Sequence, residues 1–115
     1  MKINIVVALA LFALTACNDK PEYSVIGTQG KMKAIGIPAE RVDDQEHYQR
    51  IIDAECPQDG FCILSFFVGL SSVSYPLSDT TLTAQTAQYN RNPNSGMDRL
   101  LLACRLGDIP ADECF

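Results

Sequence analysis

The chain has 115 residues, with nine basic and 14 acidic side chains and a formal net charge of −5. This length suits one compact domain. The acidic excess argues against a nucleic-acid ligand, because the phosphate backbone rewards lysine and arginine. It also argues against electrostatic binding to anionic lipid, and it suits a solvated surface or a basic protein partner.

The N-terminal segment has the pattern of an export signal. Lys2 gives a short positive region, and residues 3–14 are apolar apart from Asn4. About a dozen apolar residues are too few for the ~20 that a membrane-spanning helix needs. They match the apolar core of a signal peptide, which is followed by small residues. The segment closes with the residues Leu14-Thr15-Ala16-Cys17.

This closing tetrapeptide resembles the lipobox of bacterial lipoproteins, and the resemblance covers roughly the first seventeen residues. It implies cleavage before Cys17, a diacylglyceryl group on the Cys17 sulfur and, usually, acylation of the freed amine. Each buried methylene contributes about 0.8 kcal/mol, so two or three chains would hold the protein on a membrane. Asn18 follows the cysteine where an aspartate would signal retention. The resemblance therefore implies the periplasmic face of the outer membrane, with the inner membrane as the alternative.

Removal of residues 1–16 from the 115 would leave 99 residues, with eight basic and 14 acidic side chains because the signal holds one lysine and no acid. The acylated cysteine and the polar residues after it, 17–22, are predicted to form a short tether. Residues 23–115 are then predicted to form one small periplasmic domain. A domain of this size has a modest core.

Four further cysteines predict two disulfides, because an even number in an exported chain reads as a disulfide framework. Three connectivities are possible. We favour Cys56–Cys62 and Cys104–Cys114, since each pair brackets a turn-rich segment, and each bond would contribute about 2–3 kcal/mol. The five residues between Cys56 and Cys62 argue against a redox site, in which two residues separate the thiols.

The clearest helix is predicted over residues 43–55. Asp43 and Glu46 have the spacing of a capping box, and Pro57 ends the pattern. The inward stripe follows helical spacing. Its members are Tyr48, Ile51, Ile52 and Glu55.

Residues 61–68 contain one polar residue among eight and predict a strand buried on both faces, which would be the centre of the sheet. Residues 23–26 predict a short strand before it. Residues 31–36 fit either a returning strand or a helix, because Gly36 is followed by an apolar residue and a proline, as at a helix end.

Two more helices are predicted near residues 79–90 and 97–106. Ser78 has the N-cap position of the first, with a hydrophobic staple between Leu77 and Leu82. A loop rich in Asn, Pro and Gly separates the two helices. The predicted fold is therefore α+β, with a small sheet centred on residues 61–68 packed against about three helices and stabilised by two disulfides.

The catalytic motifs of the common enzyme classes are missing from the sequence. It has no Gly-x-Ser-x-Gly turn, no Gly-rich phosphate loop and no paired zinc-ligand spacing. His47, the single histidine, has Asp43 and Asp44 at helical neighbour positions, which could make a base or a metal ligand. We interpret it instead as a half-exposed surface residue. No metal or cofactor is expected.

Recognition by surface loops remains as the functional expectation. The loops over residues 69–76 and 89–96 carry or border Tyr75, Tyr89 and Arg91, which are candidate contacts with a protein partner. The leading hypothesis is a non-enzymatic interaction or accessory module of the cell envelope. The alternatives are an inhibitor or immunity-type protein that blocks a basic hydrolase and a small enzyme that uses His47.

Overall fold

The computed structural model describes residues 22–115, so the predicted signal segment and Cys17 lie outside the described residues. The described residues form two α-helices and five strands. In order, they are β1 (Ser24–Gln29), β2 (Met32–Ile37), α1 (Gln45–Glu55), β3 (Cys62–Val68), α2 (Asp79–Thr83), β4 (Ala87–Asn92) and β5 (Met97–Leu102).

The five strands form one mixed sheet in the order β1-β2-β3-β4-β5. Strands β2 and β3 are parallel, and the other three neighbouring pairs are antiparallel. Parallel neighbours need a crossover connection. Helix α1 supplies it and covers the side of the sheet that we call the helix-facing side.

The core lies between α1 and this side of the sheet. Tyr48, Ile51 and Ile52 are fully buried against the apolar residues of the central strands, including Leu64 and Phe66. The Tyr48 ring meets the Phe66 ring edge-on, with centroids 4.8 Å apart. Full burial of each such side chain contributes about 1.5–3 kcal/mol. The inward stripe predicted for the helix is therefore confirmed.

The second side of the sheet is covered in part by residues 69–78. The backbone N–H of Val73 donates to the carbonyl of Ile26 at 3.0 Å. A Cβ atom at Gly27 would lie 2.8 Å from Val73 Cγ2, so only glycine allows this close crossing. Phe67, on the same side, is fully buried.

The two ends of the sheet differ in what they carry. At one end, β1 begins and β2, β3 and β5 finish; we call it the tether end because the predicted tether leads into it. The opposite end, the loop end, carries three connections. They are residues 30–31, 57–61 and 93–96.

The prediction of about three helices is wrong, since the described residues hold one 11-residue helix and one five-residue helix. The predicted helix at 79–90 stops at Thr83, and its second half belongs to β4. The predicted helix at 97–106 is strand β5 followed by a 3-10 turn. In both cases the residues form a strand instead of a helix. One side of each strand packs against α1, and its backbone pairs with the neighbouring strand.

Several local predictions are confirmed. The strand predicted at 61–68 is β3, which runs from Cys62 to Val68 at the centre of the sheet. Of the two alternatives left open for residues 31–36, the structure shows the strand, β2. Ser78 is the N-cap of α2. The N-cap of α1 is Asp44 rather than Asp43, because the Asp44 carboxylate accepts the His47 backbone N–H.

Both disulfides are present with the favoured pairing, Cys56–Cys62 and Cys104–Cys114. The first joins the end of α1 to the start of β3. The second closes the C-terminal segment beside β5, where Cys114 bridges to Leu102. Within residues 22–115, neither helix is long and apolar enough to cross a membrane.

Candidate functional site

The loop of residues 57–61 is the most constrained exposed segment at the loop end. The Cys56–Cys62 disulfide closes it, with the two Cα atoms 5.7 Å apart. Its first three residues are exposed, and they are Pro57, Gln58 and Asp59. Because the loop joins the end of α1 directly to the start of β3, both of its ends are fixed by regular structure.

Arg91 supports this loop from β4. Its Nη1 atom donates to the Pro57 carbonyl, and its Nε atom donates to the Tyr89 hydroxyl at 3.0 Å. The Tyr89 hydroxyl in turn donates to Asp98 Oδ1 at 2.6 Å. Burial, followed by the bond to Asp98, raises the pKa of Tyr89. The hydroxyl therefore remains a donor at neutral pH, and the network ties the loop to two strands.

A cavity of about 330 Å³ lies between the loop and the outer face of α1. Two carboxylates and one guanidinium line it together with neutral groups. The lining residues are Asp53, Cys56, Gln58, Asp59 and Arg91. Asp53 and Asp59 are both exposed, so their carboxylates are accessible at this surface.

A second charged cluster supports the other flank of the loop. Lys33 Nζ lies 2.8 Å from Glu55 Oε1 and donates to the Glu55 carbonyl at 3.3 Å. The Tyr23 hydroxyl donates to Glu55 Oε2. The bonds from Lys33 and then Tyr23 lower the pKa of Glu55. The bond to Glu55 raises the pKa of Tyr23 to about 12.

His47 lies apart from the loop end and is 6% exposed, so its interpretation as a half-exposed surface residue is wrong. Its Nε2 atom lies 2.8 Å from the Glu22 carbonyl oxygen. Because a carbonyl only accepts, Nε2 carries the hydrogen. The side chain holds the start of the described chain against the first turn of α1, which is a structural role.

The structure brings two of the three predicted contact residues together. Arg91 and Tyr89 share the helix-facing side of β4, where Tyr89 is 3% exposed and Arg91 reaches the surface beside the disulfide loop. Tyr75 lies in the 69–78 crossing. Burial raises the pKa of Tyr75, and its hydroxyl has no hydrogen-bond partner among the described residues. Contact with a partner remains a prediction for all three.

Sequence reasoning missed Asp98 and the role of Pro57. Asp98 falls in the predicted helix at 97–106, but it lies on β5 opposite Arg91. The cysteine spacing around a Pro-Gln-Asp-Gly turn was a usable signal for the rigid loop. No local pattern indicates that Arg91 supports it, because the two segments are 34 residues apart.

Among residues 22–115, no three His, Cys, Asp or Glu side chains are grouped closely enough to hold a metal ion. No family model, curated protein or solved structure matches the chain. Its function therefore has to be argued from the geometry of the two ends of the sheet.

Proposed function

We propose that the chain is a lipid-anchored, non-enzymatic interaction module of the cell envelope that contacts a protein partner through its loop end. Its anchor is the acylated Cys17 at the periplasmic face of the outer membrane. The observation that carries the proposal is the 57–61 loop. Its ends are joined by a disulfide and its Pro57 carbonyl is held by Arg91, while Gln58 and Asp59 stay exposed.

Such a loop suits binding because its conformation is set before a partner arrives. Fixing the backbone of one residue costs about 1–2 kcal/mol. A loop that is already ordered avoids most of that cost on association, so more of the contact energy appears as affinity. Support from Arg91 on one flank and from the Glu55 cluster on the other serves this purpose.

The position of the loop also supports the proposal. Glu22 and the start of β1 are at the tether end, and the loop is at the opposite end of α1. A helix of 11 residues spans about 16 Å. The point at which the described chain begins is therefore about one helix length from the loop, so a periplasmic partner can bind the loop without contacting that point.

The cavity beside the loop, rather than the loop end as a whole, favours a basic side chain on the partner, because the exposed Lys31 also lies at this end. Asp53 and Asp59 line the cavity beside the loop, and the Asp98 side chain is 64% exposed. Complementary charge raises association rates and selects partners. The same carboxylates support the second candidate function, an inhibitor or immunity-type protein that blocks a basic hydrolase with its acidic surface.

Site-specific photo-cross-linking in intact cells tests the leading proposal. A photoreactive residue at Gln58, or at Asn94 in the neighbouring turn, should form the same adduct with one envelope protein. Matched reporters at Asp79, exposed at the start of α2, and at Glu40, near the tether end, should not. Equal adducts at all four positions, or adducts at the controls alone, would show that the loop end is not the contact surface.

Identification of the partner separates the two candidate functions. A structural or assembly protein of the envelope supports the accessory role. A basic hydrolase whose activity falls when the purified module is added, with relief by salt, supports the inhibitor. The variant Asp59→Asn should weaken the inhibitor's effect without changing the fold, because Asp59 is exposed and makes no bond within the described chain.

A further inference from the structure

Large exposed apolar side chains are concentrated at the tether end. Across residues 22–115, five such residues are exposed by about two-fifths: Val25, Leu70, Leu82, Met97 and Phe115. Only Met97 belongs to the loop end, where it begins β5. The other four lie near the start of β1 or beyond the ends of β3 and β5.

Two of these residues share one cavity. Leu82 and Phe115 line a depression of about 420 Å³ beside Ala103, just past the end of β5. Arg105 lies at its margin and donates to the carbonyls of Gln85 and Ala84. These bonds use two of the five N–H donors of its guanidinium, which leaves others for an anionic group.

Leu70 extends the same apolar end toward the entry of the chain. It follows β3 by two residues and is 39% exposed. A cavity of about 310 Å³ beside it is also lined by Glu22 and Pro38. Glu22, where the described chain begins, therefore lies at the same end of the sheet as these apolar residues, although Leu70 borders a different cavity from Leu82 and Phe115.

The tether length restricts what can cover this surface. From Cys17 to Glu22 the chain advances five residues, which reach at most about 18 Å when fully extended. The headgroup layer alone takes up roughly 5–7 Å of that reach. The tether end of an acylated protein is therefore held within a short distance of the lipid.

We propose that the tether end is a lipid-contacting surface, in which Leu70, Leu82 and Phe115 enter the interfacial layer of the bilayer that carries the acyl anchor. This inference rests on the anchor in the proposed function. The contact is apolar, with Arg105 positioned to reach a lipid phosphate while its stem stays among apolar groups. Because the contact is mainly apolar, it should persist at high salt.

Tryptophan fluorescence tests the proposal directly, because the chain contains no tryptophan. Acylated full-length Leu70→Trp, Leu82→Trp and Phe115→Trp would each be reconstituted into vesicles of phosphatidylethanolamine and phosphatidylglycerol with brominated acyl chains. Their emission should shift to shorter wavelength and lose most of its intensity relative to unbrominated vesicles. The matched control, Met97→Trp, should show neither change.

Reporters at Leu82 and Phe115 that behave like the Met97 control would overturn the inference. A shift of tryptophan emission to shorter wavelength that occurs only in native membranes, without quenching by brominated lipid in vesicles, would assign the surface to a protein contact. That result would also overturn the inference. Intact-mass analysis of the same samples separates this failure from that of the anchor. Acylated protein without quenching loses only the lipid contact, whereas unacylated protein removes the anchor and the inference together.

Discussion

The Nε2 atom of His47 lies 2.8 Å from the carbonyl oxygen of Glu22, so the single histidine of the chain fixes the point at which the predicted tether meets the domain. A second bond follows at once, from the Tyr23 hydroxyl to Glu55 at the other end of α1. The first two described residues are thus tied to the two ends of one helix. These two bonds fix the position of Glu22 and Tyr23 relative to α1.

Replacement of His47 should affect stability and leave binding intact. His47→Ala removes a buried ring and leaves the Glu22 carbonyl without its donor, which should lower the free energy of unfolding by about 1–3 kcal/mol. Urea denaturation of the wild-type and variant domains measures the difference. Cross-linking from Gln58 should be unchanged in the folded variant. Loss of the Gln58 cross-link in a folded His47→Ala variant would support a functional role for His47.

The Glu55 cluster predicts a loss of stability in acid. Lys33, and after it Tyr23, lower the pKa of Glu55 from its ordinary 4.5, so the ionised form is favoured in the folded state. The resulting stabilisation is present above the ordinary pKa and disappears as pH falls through the folded value. Glu55→Gln should therefore cost about 1–2 kcal/mol at neutral pH. Denaturation curves of the two proteins should converge in acid; a constant difference at every pH would contradict the assignment.

The same cluster predicts a separate loss of stability in alkali. The pKa of Tyr23 is raised from 10.0 to about 12 by its bond to Glu55, so the folded state favours the neutral phenol. This contribution is complete below pH 10.0 and is lost as pH rises toward 12. Tyr23→Phe should remove this part of the alkaline decline. Denaturation at increasing pH, with tyrosinate absorbance compared between the two proteins, measures it; identical alkaline profiles would exclude the bond.

The two disulfides provide a matched pair of variants. The double change Cys56→Ala with Cys62→Ala should lower the free energy of unfolding by about 2–3 kcal/mol and should also weaken Gln58 cross-linking, because the loop becomes flexible. Cys104→Ala with Cys114→Ala should lower stability to a similar extent and leave the cross-link in place. Equal effects of the two pairs on cross-linking would mean that loop rigidity does not matter for binding.

Local features of the fold could be predicted from the sequence, whereas contacts between residues far apart in the chain could not. Each disulfide joins cysteines only six or ten positions apart, so bracketing a turn was enough to favour the pairing. The strand at 61–68 is a continuous apolar run. By contrast, the bonds of His47 and Arg91 join residues 25 and 34 positions apart, which no local pattern indicates.

The missed hairpin has a specific cause. Met97, Leu100 and Leu101 match helical spacing, but the same residues also fit a strand paired with β4. The turn between the two strands contains Pro93 and Gly96, and Gly96 adopts φ 76°. A glycine between two segments of alternating apolar and polar residues indicates a hairpin, because a tight hairpin turn needs a residue with positive φ. The helix-facing positions of β4 are Ala87, Tyr89 and Arg91, so a charged residue at the third of them concealed the alternation.

Arg91 provides the sharpest test of the loop end. Arg91→Met keeps the aliphatic stem and removes the donors to the Pro57 carbonyl and to the Tyr89 hydroxyl. The amides of residues 57–61 should therefore exchange hydrogen faster, while exchange in the rest of the sheet is unaffected. Arg99→Met is the matched control, because the Arg99 guanidinium also donates to a backbone carbonyl, that of Asp112, outside the loop. We expect weaker Gln58 cross-linking from the first variant alone. Faster exchange without loss of the cross-link would separate loop order from partner binding, and unchanged exchange would show that the disulfide is sufficient to hold the loop.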